Sequence, residues 1–528
     1  MPRAIRYNLR SMAQPPTQFY VTTPIYYVND RPHIGHVYTT TLADVLARYH
    51  RLCGRDVFFL TGTDEHAAKV VDAAAERGLT ALEWADRNAA AFEDTFVRLG
   101  MSHDDFIRTS QPRHTERVAA YVQRLVDSGD VYAGEYEGWY DAGQEEYIPE
   151  NKAKELEYRS PFNGKPLVRK AETNYFFRLS AYADRLREHV EANPRFVQPE
   201  ARRNEVLARI REGLNDVPVS RSGAGGWGIA MPGDQTQTIY VWIDALFNYL
   251  TAVDTDARRR YWPADHHLIA KDILWFHAVI WPAVLMALGR PLPRQVYAHS
   301  FWIAEGQKMS KSLGNFIDVE MIDHYVDTFG LDALRYYLVT QGPLGATDAD
   351  FAHDKFVDVY NGDLANTLGN CASRVTNMIN RYFDGAAPTP GHPDKDAMHL
   401  RHQIDGFVDR VDQAMNGVAL AHAVEAAMEL VRAVDGYIEL TAPFKLAKDE
   451  TQRDKLGTIL YTCAEALRIA SLPLWPVMPT RIAQLWQMLG QDYDPDAGDL
   501  ARWAKWGGLK PGAAIAKGAL FPRHQREA

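Results

Sequence analysis

Two short segments of this 528-residue chain carry residue types that bind phosphate groups. The first, His33-Ile34-Gly35-His36 (the histidine segment), follows a β-rich stretch at the point where a helix is predicted to begin. Backbone N–H groups at a helix N-terminus carry partial positive charge and bind phosphate readily, and two histidines add side-chain donors. Gly35 lets a phosphate or a flat ring approach the backbone. Taken alone, the segment has a plainer interpretation, a pair of surface histidines at a helix start.

The second segment, Lys308-Met309-Ser310-Lys311-Ser312 (the lysine loop), places two lysines in a small stretch that is rich in hydroxyl groups. Such a stretch can form a mobile clamp for a polyphosphate, because each ammonium is a compact charge on a flexible stem. Its plainer interpretation is a solvated, charged turn. Both segments together, in this order along the chain, favour a site that binds polyphosphate.

The elements around the histidine segment predict an alternating α/β fold. Residues 19–23 and 56–60 are predicted strands, and apolar residues recur at helical spacing between Val37 and Leu52. Strand, helix and strand in this order are typical of a doubly wound, parallel, Rossmann-type sheet. The strand pattern returns at Thr238–Trp242 and at His267–Ala270.

Two other regions depart from that alternation. Val131–Val219 is rich in Tyr, Glu and turn residues, with helix-like stretches at Ser180–Val190 and Glu205–Leu214, which indicates an insertion. Beyond about residue 358 the strand signals disappear, and long amphipathic segments predict a helical bundle. These segments are Leu364–Phe383, His399–Asn416, Ala419–Leu440 and Leu456–Leu472. The predicted divisions are an N-terminal arm (1–16), a first catalytic half (17–128), a connective insertion (129–236), a second catalytic half (237–305), a linker domain with the lysine loop (306–358) and the bundle (359–528).

Composition narrows the class of protein and its compartment. The net charge is −10, since 68 acidic residues outnumber 58 basic ones, which argues against a basic coat for nucleic acid but leaves room for a local basic face. Three cysteines without a CxxC pair form no disulfide framework, so we expect a reducing compartment, the cytoplasm. No apolar run reaches the length of about 20 residues that a membrane span requires. In the arm, Arg3, Arg6 and Arg10 precede any acid. A transit peptide has this pattern, but a short arm, or a true start at Met12, is the favoured interpretation.

Further segments make the chain resemble the class I aminoacyl-tRNA synthetases, most closely the methionine-specific members. The resemblance runs from about Phe19 to Gly507. Besides the histidine segment and the lysine loop, it is carried by Thr23-Pro24-Ile25-Tyr26-Tyr27-Val28-Asn29, Thr61-Gly62-Thr63-Asp64-Glu65-His66, Glu172-Thr173-Asn174-Tyr175-Phe176-Phe177, Tyr240-Val241-Trp242-Ile243-Asp244-Ala245-Leu246 and Lys271-Asp272-Ile273. It implies a Rossmann-type catalytic sheet with an inserted connective domain, followed by an α-helical anticodon-binding bundle.

The activity that the resemblance implies is the ATP-dependent ligation of L-methionine to tRNA(Met), for initiation and elongation of translation. The methionine carboxylate attacks the α-phosphate of ATP to give methionyl-adenylate and pyrophosphate. The ester then forms on the 3′-terminal adenosine of the tRNA, and AMP is released. Mg²⁺ accompanies ATP, and no general base is needed in the first step because the carboxylate is already ionised at neutral pH.

The resemblance also assigns site residues. His33 and His36 are expected to hold the phosphates, and Lys311, helped by Lys308, to stabilise the transition state and the leaving pyrophosphate. The residues expected at ATP are His33, Gly35, His36, Asp272, Lys308, Ser310 and Lys311. Those expected around methionine are Ile25, Tyr27, Asp64, Trp242, Ala245, Leu246, Tyr249, Ile273, His277 and Trp281. Those expected at the anticodon are Asn370, Arg374 and Phe444.

In the methionine group, Asp64 would pair with the α-ammonium, while Tyr27, Trp242 and Trp281 would enclose the thioether. For any one of these aromatic residues, ordinary core packing is the commoner role. Asn370 and Arg374 lie four residues apart on a predicted helix and therefore on one face of it.

Three features depart from the family's pattern. Ala270 stands where the family usually has glycine, two residues before Asp272. We expect its extra methyl group to crowd the nucleotide or to shift the backbone at the ATP ribose. Phe444 stands where tryptophan is usual. The stretch Trp139–Tyr147 lacks the cysteine knuckles with which many members bind zinc, so we expect the zinc-free subtype and no structural metal.

Other classes fit the sequence less well. A nucleotidylyltransferase shares the histidine segment and a lysine loop but is usually much shorter and lacks the long helical region. Leucine, isoleucine and valine synthetases carry a large editing domain, for which an insertion of about 100 residues leaves no room. A cysteine enzyme is expected to hold zinc through cysteines, and a non-catalytic tRNA-binding paralogue need not retain both histidines and both lysines. The chain lacks the appended domain that some relatives use to dimerise, so we expect a monomer.

Overall fold

The computed structural model describes residues 18–29, 31–141, 146–148, 150–222, 226–304, 306–309 and 315–525. The predicted N-terminal arm lies outside the described residues, as do Ser310, Lys311 and Ser312 of the lysine loop. Among the described residues, no helix is both long enough and apolar enough to cross a membrane.

The strands and helices follow one another in the alternation that the sequence predicts. The strands are β1 (Gln18–Tyr27), β2 (Asp56–Asp64), β3 (Asp105–Arg108), β4 (Val131–Asp141), β5 (Glu146–Ile148), β6 (Val168–Phe177), β7 (Val197–Gln198), β8 (Val217–Pro218), β9 (Ser220–Ser222), β10 (Ala230–Met231), β11 (Asp234–Ile239), β12 (His266–Ala270), β13 (Val296–His299), β14 (Trp302–Ala304), β15 (Gln307–Lys308) and β16 (Ala349–Phe351).

The helices of the first 359 residues are α1 (Ile34–Leu52), α2 (Ala68–Ala75), α3 (Ala81–Arg98), α4 (Pro112–Asp127), α5 (Glu150–Glu155), α6 (Ala183–Ala192), α7 (Glu200–Glu212), α8 (Val241–Leu246), α9 (Asn248–Thr251), α10 (Trp281–Ala287), α11 (Val319–Phe329), α12 (Leu331–Gln341) and α13 (His353–Val359). Those that follow are α14 (Asn370–Tyr382), α15 (Lys395–Ile404), α16 (Phe407–Asn416), α17 (Leu420–Thr441), α18 (Pro443–Leu446), α19 (Arg453–Ser471), α20 (Pro479–Met488) and α21 (Leu500–Trp503). Two π-helical segments, Phe276–Ile280 and Tyr360–Gly369, lead into α10 and α14.

The central sheet has six parallel strands in the order β3-β2-β1-β12-β13-β7. Both of its faces are covered. Because successive residues of a strand point to opposite sides, neighbouring residues of one strand pack in different cores. Phe19 and Val21 of β1 pack in one core with α1, α12 and the bundle, whereas Tyr20 between them packs in a second core with the insertion and α8–α10. This doubly wound sheet confirms the predicted fold class.

The insertion forms sheets of its own and also contributes to the central sheet. Its main sheet is antiparallel in the order β5-β4-β6-β8, and β9, β10 and β11 form a smaller one. The short strand β7, which lies within the same stretch of sequence, pairs with β13 at the edge of the central sheet. The insertion is therefore anchored to the catalytic sheet by a backbone ladder.

Two predicted elements are wrong in detail. The apolar stretch Thr238–Trp242 is not one strand, since β11 ends at Ile239 and Val241 begins helix α8. The stretch His399–Asn416 is not one helix, since α15 ends at Ile404 and α16 begins at Phe407. The break lies at Gly406, whose φ of +72° is a left-handed conformation that glycine adopts without strain.

Candidate active site and candidate anticodon surface

Several of the expected ATP and methionine residues lie at or directly after the carboxyl ends of neighbouring parallel strands. Tyr27 and Asp64 end β1 and β2 and are register partners. Asp272 follows the end of β12, which pairs with β1 on its other side. Because the carboxyl ends of parallel strands meet at one edge of a sheet, this carboxyl edge is where an open α/β sheet binds its ligands.

The histidine segment forms the N-terminus of α1, directly beyond β1. His33 is the N-cap residue, and its Nδ1 accepts a hydrogen bond from the Gly35 N–H at 3.1 Å. In return the His33 backbone N–H donates to Nδ1 of His36 at 3.3 Å, and the two rings stack with centroids 3.7 Å apart. A Cβ on residue 35 would lie 2.9 Å from Cε1 of His33, so glycine is required for this ring to fold over the helix start.

The His36 ring lies in an apolar setting. Its neighbours are the rings of Tyr26 and Phe92, with centroids 4.7 and 5.1 Å away. Burial, and then the proximity of His33, lower the pKa of His36 well below its ordinary value. His36 is therefore neutral at physiological pH and contributes as a hydrogen-bonding group rather than as a fixed charge.

The chain that leaves the lysine loop returns to the histidine segment. The Ile34 N–H donates to the Ile317 carbonyl at 3.0 Å, and His33 and Asp318 form an antiparallel bridge. The Phe316 ring meets the His33 ring edge-on, with centroids 5.2 Å apart. Residues 316–318, which follow the lysine loop and come about 280 residues after the histidine segment, thus lie against the start of α1.

Most of the expected methionine residues lie in or against one hydrophobic core, and we call its rings Tyr27, Trp242, Tyr249 and Trp281 the aromatic cluster. The Trp242 ring stacks on that of Phe276 at 3.9 Å and meets the Tyr27 ring edge-on at 6.0 Å. Tyr249 and Trp281 are fully buried in the same core. Of the remaining expected residues, Ile25 and Ile273 pack against this core, Leu246 lies in it, and Ala245 and His277 are buried.

Tyr249 is held by a chain of hydrogen bonds. Its hydroxyl lies 2.7 Å from Nε2 of His277, whose Nδ1 lies 2.9 Å from the carbonyl of Ile273. The Tyr20 hydroxyl donates to the Tyr249 carbonyl at 2.8 Å. Burial above all, and also the negative charge of Asp64, raise the pKa of Tyr249, so its phenol stays protonated. Buried neutral rings beside one buried carboxylate, Asp64, suit a zwitterionic amino acid that has an apolar side chain.

Asp272 and Ala270 lie at the turn that ends β12. Asp272 is exposed in the short 3-10 helix Lys271–Ile273, which begins directly after Ala270. Lys271 beside it donates to Asp348 at 2.6 Å and so joins this turn to the strand region of the linker domain.

Sequence reasoning missed two buried ionic networks. Arg335 of α12 and Asp44 of α1, both buried, form a salt bridge of 2.6 Å, and Arg335 also donates to the carbonyls of Pro476 and Val477 in the bundle. Asp244 of α8 lies 2.6 Å from Nδ1 of His66 and 2.8 Å from Nε2 of the buried His114. The signal available in the sequence was a single charged residue within an otherwise apolar stretch, but the sequence does not reveal the partner of that residue.

The expected anticodon residues lie on the bundle. Asn370 and Arg374 occupy the start of α14, where Asn370 is exposed. Arg374 forms ion pairs with Asp435 and Glu439 near the end of α17. The next helix, α18, begins two residues after that end and presents Phe444, which is 45% exposed. We call Asn370, Arg374 and Phe444 the anticodon surface.

The described part of the insertion contains ordinary side-chain contacts where many relatives hold zinc. The Trp139 indole donates to Glu150 at 2.7 Å and packs against the Tyr158 ring. Among the described residues of the whole chain, no group of three or more His, Cys, Asp or Glu side chains is arranged to hold a metal ion. Residues 142–145 and 149 of the stretch lie outside the described residues.

Comparison with known proteins identifies the family. A family model described as class I tRNA synthetases, type M, matches residues 19–161 and 154–376. The methionine–tRNA ligase of Streptomyces coelicolor is 44% identical over 528 residues, covering 96% of both chains. That of Caldanaerobacter subterraneus subsp. tengcongensis is 44% identical over 513 residues, covering 96% of this chain and 78% of the relative.

A solved structure agrees at the level of the fold. Mycobacterium tuberculosis methionyl-tRNA synthetase in complex with methionyl-adenylate has a TM-score of 0.89 to this chain at 38% identity, with 96% of this chain and 100% of that one covered. The resemblance drawn from the signature segments is thereby confirmed. With its histidine segment, its aromatic cluster at the carboxyl edge and its helical bundle, the chain belongs to the methionine–tRNA ligases of class I.

Proposed function

We propose that this chain ligates L-methionine to tRNA(Met) in two steps at the carboxyl edge, with the histidine segment and the lysine loop acting together on the phosphates of ATP. The contact that carries this proposal is the return of residues 316–318 onto the start of α1, through the Ile34–Ile317 hydrogen bond and the His33–Phe316 ring contact. Residues 316–318, which follow the lysine loop, therefore lie against the start of α1.

The first step requires charge stabilisation rather than proton transfer. A methionine carboxylate oxygen attacks the α-phosphorus of ATP, and the bond from that phosphorus to the bridging oxygen breaks as pyrophosphate leaves. His33, the neutral His36 and the backbone at the start of α1 supply hydrogen bonds to the phosphates. Lys311 and Lys308 supply positive charge as pyrophosphate departs, and Mg²⁺ arrives with ATP and neutralises further phosphate charge.

In the second step the tRNA takes the methionyl group. A hydroxyl of the 3′-terminal ribose attacks the carbonyl carbon of the adenylate, the new ester bond forms, and the bond to AMP breaks. Asp272 is assigned to the ribose of ATP, next to the turn that Lys271 and Asp348 fix.

Methionine selection is assigned to the aromatic cluster and Asp64. The carboxylate of Asp64 is buried, and a buried charge favours a partner of opposite sign, here the α-ammonium of the amino acid. The rings of Tyr27, Trp242 and Trp281 surround the thioether, with which sulfur–aromatic contacts are worth about 0.3–1.5 kcal/mol each.

Anticodon recognition is assigned to the anticodon surface. The exposed ring of Phe444 is available to stack on a base, and Asn370 and Arg374 supply hydrogen bonds to base edges, which stacking alone does not read. The ion pairs of Arg374 fix its guanidinium in place before the tRNA arrives. This arrangement fits an acidic chain that binds tRNA through a few specific side chains rather than through a broad basic surface.

We further propose that the enzyme works as a cytoplasmic monomer without structural zinc. The scarcity of cysteine fits a reducing compartment, and the packing of Trp139 against Tyr158 gives this part of the insertion an aromatic contact in place of a knuckle.

Charging of a tRNA(Met) transcript with radiolabelled methionine tests the proposal. Acid-precipitable methionyl-tRNA is expected only with ATP and Mg²⁺ present, and a transcript whose CAU anticodon is replaced should be charged far less efficiently. No ester, or equal charging of both transcripts, would overturn the assigned activity or the assigned anticodon recognition, respectively.

A further inference from the structure

His267 lies beneath the aromatic cluster, on the central sheet, and no role has yet been assigned to it. It belongs to β12, where its register partner is Thr22 of β1. The side chain is fully buried, and its ring lies 4.2 Å from that of Tyr249. His267 thus supports the ring that the Tyr249–His277 hydrogen bond holds from the other end.

The hydrogen bonds of His267 define one tautomer. The Trp281 indole N–H donates to Nε2 of His267 at 3.4 Å. An indole nitrogen is only a donor, so Nε2 is the acceptor, and the ring proton of the neutral imidazole resides on Nδ1. Nδ1 then donates to Oγ1 of Thr22, 2.8 Å away. Burial, with the neighbouring His277 and His266, lowers the pKa of His267 well below its ordinary value, which keeps the ring neutral.

His277 carries its proton on the same nitrogen. Its Nδ1 lies 2.9 Å from the Ile273 carbonyl, which only accepts, so Nδ1 is the donor and Nε2 accepts from the Tyr249 hydroxyl. Two histidines in fixed tautomers therefore hold Tyr249 and Trp281, one through the phenol and the other through the indole. The indole is drawn toward β1 and β12 by a hydrogen bond that ordinary packing does not require.

We propose that His267 is a positioning residue for methionine selection, which orients Trp281 through its Nε2 and supports the Tyr249 ring through its face. It touches neither ATP nor the reacting atoms. Its loss is expected to loosen the methionine pocket while leaving phosphate chemistry intact. The inference rests on the proposed function, since it names a residue behind the pocket that the proposed function assigns to methionine.

Two substitutions at this position separate the hydrogen bonds. His267→Asn keeps an amide N–H near the position of Nδ1 and so can still donate to Thr22, but it leaves the Trp281 indole without an acceptor. His267→Gln extends an amide group to the position of Nε2 and can accept from that indole. His266 is the matched control, because it is a buried histidine on the same strand that faces the other way and bonds Gln295 at 2.8 Å.

ATP–pyrophosphate exchange, measured as a function of methionine and of ATP, tests the assignment. For His267→Asn we expect the KM for methionine to rise about tenfold or more, with kcat and the KM for ATP within about threefold, because a small misplacement of a positioning group lowers affinity steeply. His267→Gln should recover most of the affinity for methionine, and His266→Asn should leave it unchanged. An unchanged KM for methionine in folded His267→Asn, or an equal rise for ATP, would overturn the assignment.

A second variant guards against loss of folding. If His267→Asn does not fold, Trp281→Phe removes the indole N–H and leaves a smaller phenyl ring, and it should raise the KM for methionine with kcat preserved. A wild-type KM in folded Trp281→Phe would then refute the role of the hydrogen bond. Absence of methionine-dependent exchange in the wild-type protein would instead refute the proposed function, whatever the variants do.

Discussion

The aromatic cluster and the anticodon surface both contain aromatic rings, but those rings differ in how far they are exposed to solvent. Trp281 and Tyr249 are fully buried and hydrogen-bonded to histidines of fixed tautomer. Phe444 is 45% exposed, and the arginine assigned to the same surface is ion-paired with two acids. A pocket for a small apolar side chain has to exclude water, whereas a surface for a macromolecule has to remain open to it.

Because of this contrast, we expect a substitution in the anticodon surface to leave adenylate formation unchanged. Adenylate formation reports on the carboxyl edge alone, and tRNA charging reports on both regions. Each variant below is therefore judged by the ratio of the two activities.

The largest effect is expected for Lys311→Ala. The positive charge of Lys311 matters most as pyrophosphate leaves, so its removal should lower kcat of pyrophosphate exchange by about a hundred- to a thousandfold, the range seen when one transition-state donor is lost. The KM for methionine should change little. A raised KM for methionine with an unchanged kcat would show that the lysine binds the amino acid instead.

Phe444→Ala should affect only tRNA. Base–aromatic stacking is worth about 1–3 kcal/mol, so kcat/KM for tRNA(Met) should fall by roughly ten- to over a hundredfold while pyrophosphate exchange is unaffected. Phe444→Trp should preserve or improve charging. Leu440→Ala is a matched control, since Leu440 is 67% exposed near the same helix end but has no π-face, and it should charge tRNA normally.

If Phe444→Ala lowers the melting temperature and leaves the tRNA kinetics unchanged, the ring serves the packing of the bundle instead. Equal losses in Phe444→Ala and Leu440→Ala would indicate a general apolar contact rather than stacking.

A smaller effect is expected from lowering the pH, which should destabilise the second catalytic half. Burial lowers the pKa values of His266, His277 and His299 to about 4, whereas an unfolded histidine has a pKa of about 6.5. Between these values the unfolded chain binds more protons, so the free energy of unfolding should fall as pH drops from about 6.5 toward 4. Each group contributes up to about 1.4 kcal/mol per pH unit.

His66 works in the opposite direction to these three histidines. Although burial lowers it, the Asp244 carboxylate raises the pKa of His66, so its contribution to stability is lost as pH rises through that value. Of the histidines of the bundle, His392, His399, His402 and His422 are exposed, and His524 is half-buried. Thermal unfolding at pH 7.5 and 5.5 should therefore show a lower melting temperature in acid, with limited proteolysis cutting the catalytic half first. An equal or higher melting temperature at pH 5.5 would contradict the neutral, buried state of these histidines.

The smallest effect is expected from removing metal. Purified protein should contain less than one zinc per chain and regain full activity after chelation once Mg²⁺ is restored. One tightly held zinc per chain by elemental analysis would show that the insertion binds metal in spite of its missing cysteines.

The sequence predicted the parts of the site that short signatures carry at the junction of a strand and a helix. The histidine segment caps α1 because its residue types and spacing determine the local backbone, and such signals need no long-range information. The order of strands and helices also followed from periodicity. Val241 and Trp242 were assigned to a strand, since a short apolar run does not distinguish a buried strand from a buried helix.

The supports of the site were not predictable in the same way. The partner of Arg335 is Asp44, 291 residues away, and the acceptor for the Trp281 indole is a histidine on another element. Neither pair leaves a pattern in the sequence, because only folding brings their atoms together. The short edge strand β7 was missed for a different reason, since two residues carry no periodicity.

The most direct test of the central claim is ATP–pyrophosphate exchange with each of the twenty amino acids in turn. A cluster of buried rings beside one buried carboxylate, with residues 316–318 packed against the start of α1, is predicted to give exchange that methionine stimulates far more than any other amino acid. Stronger stimulation by another amino acid, or by none, would contradict the account.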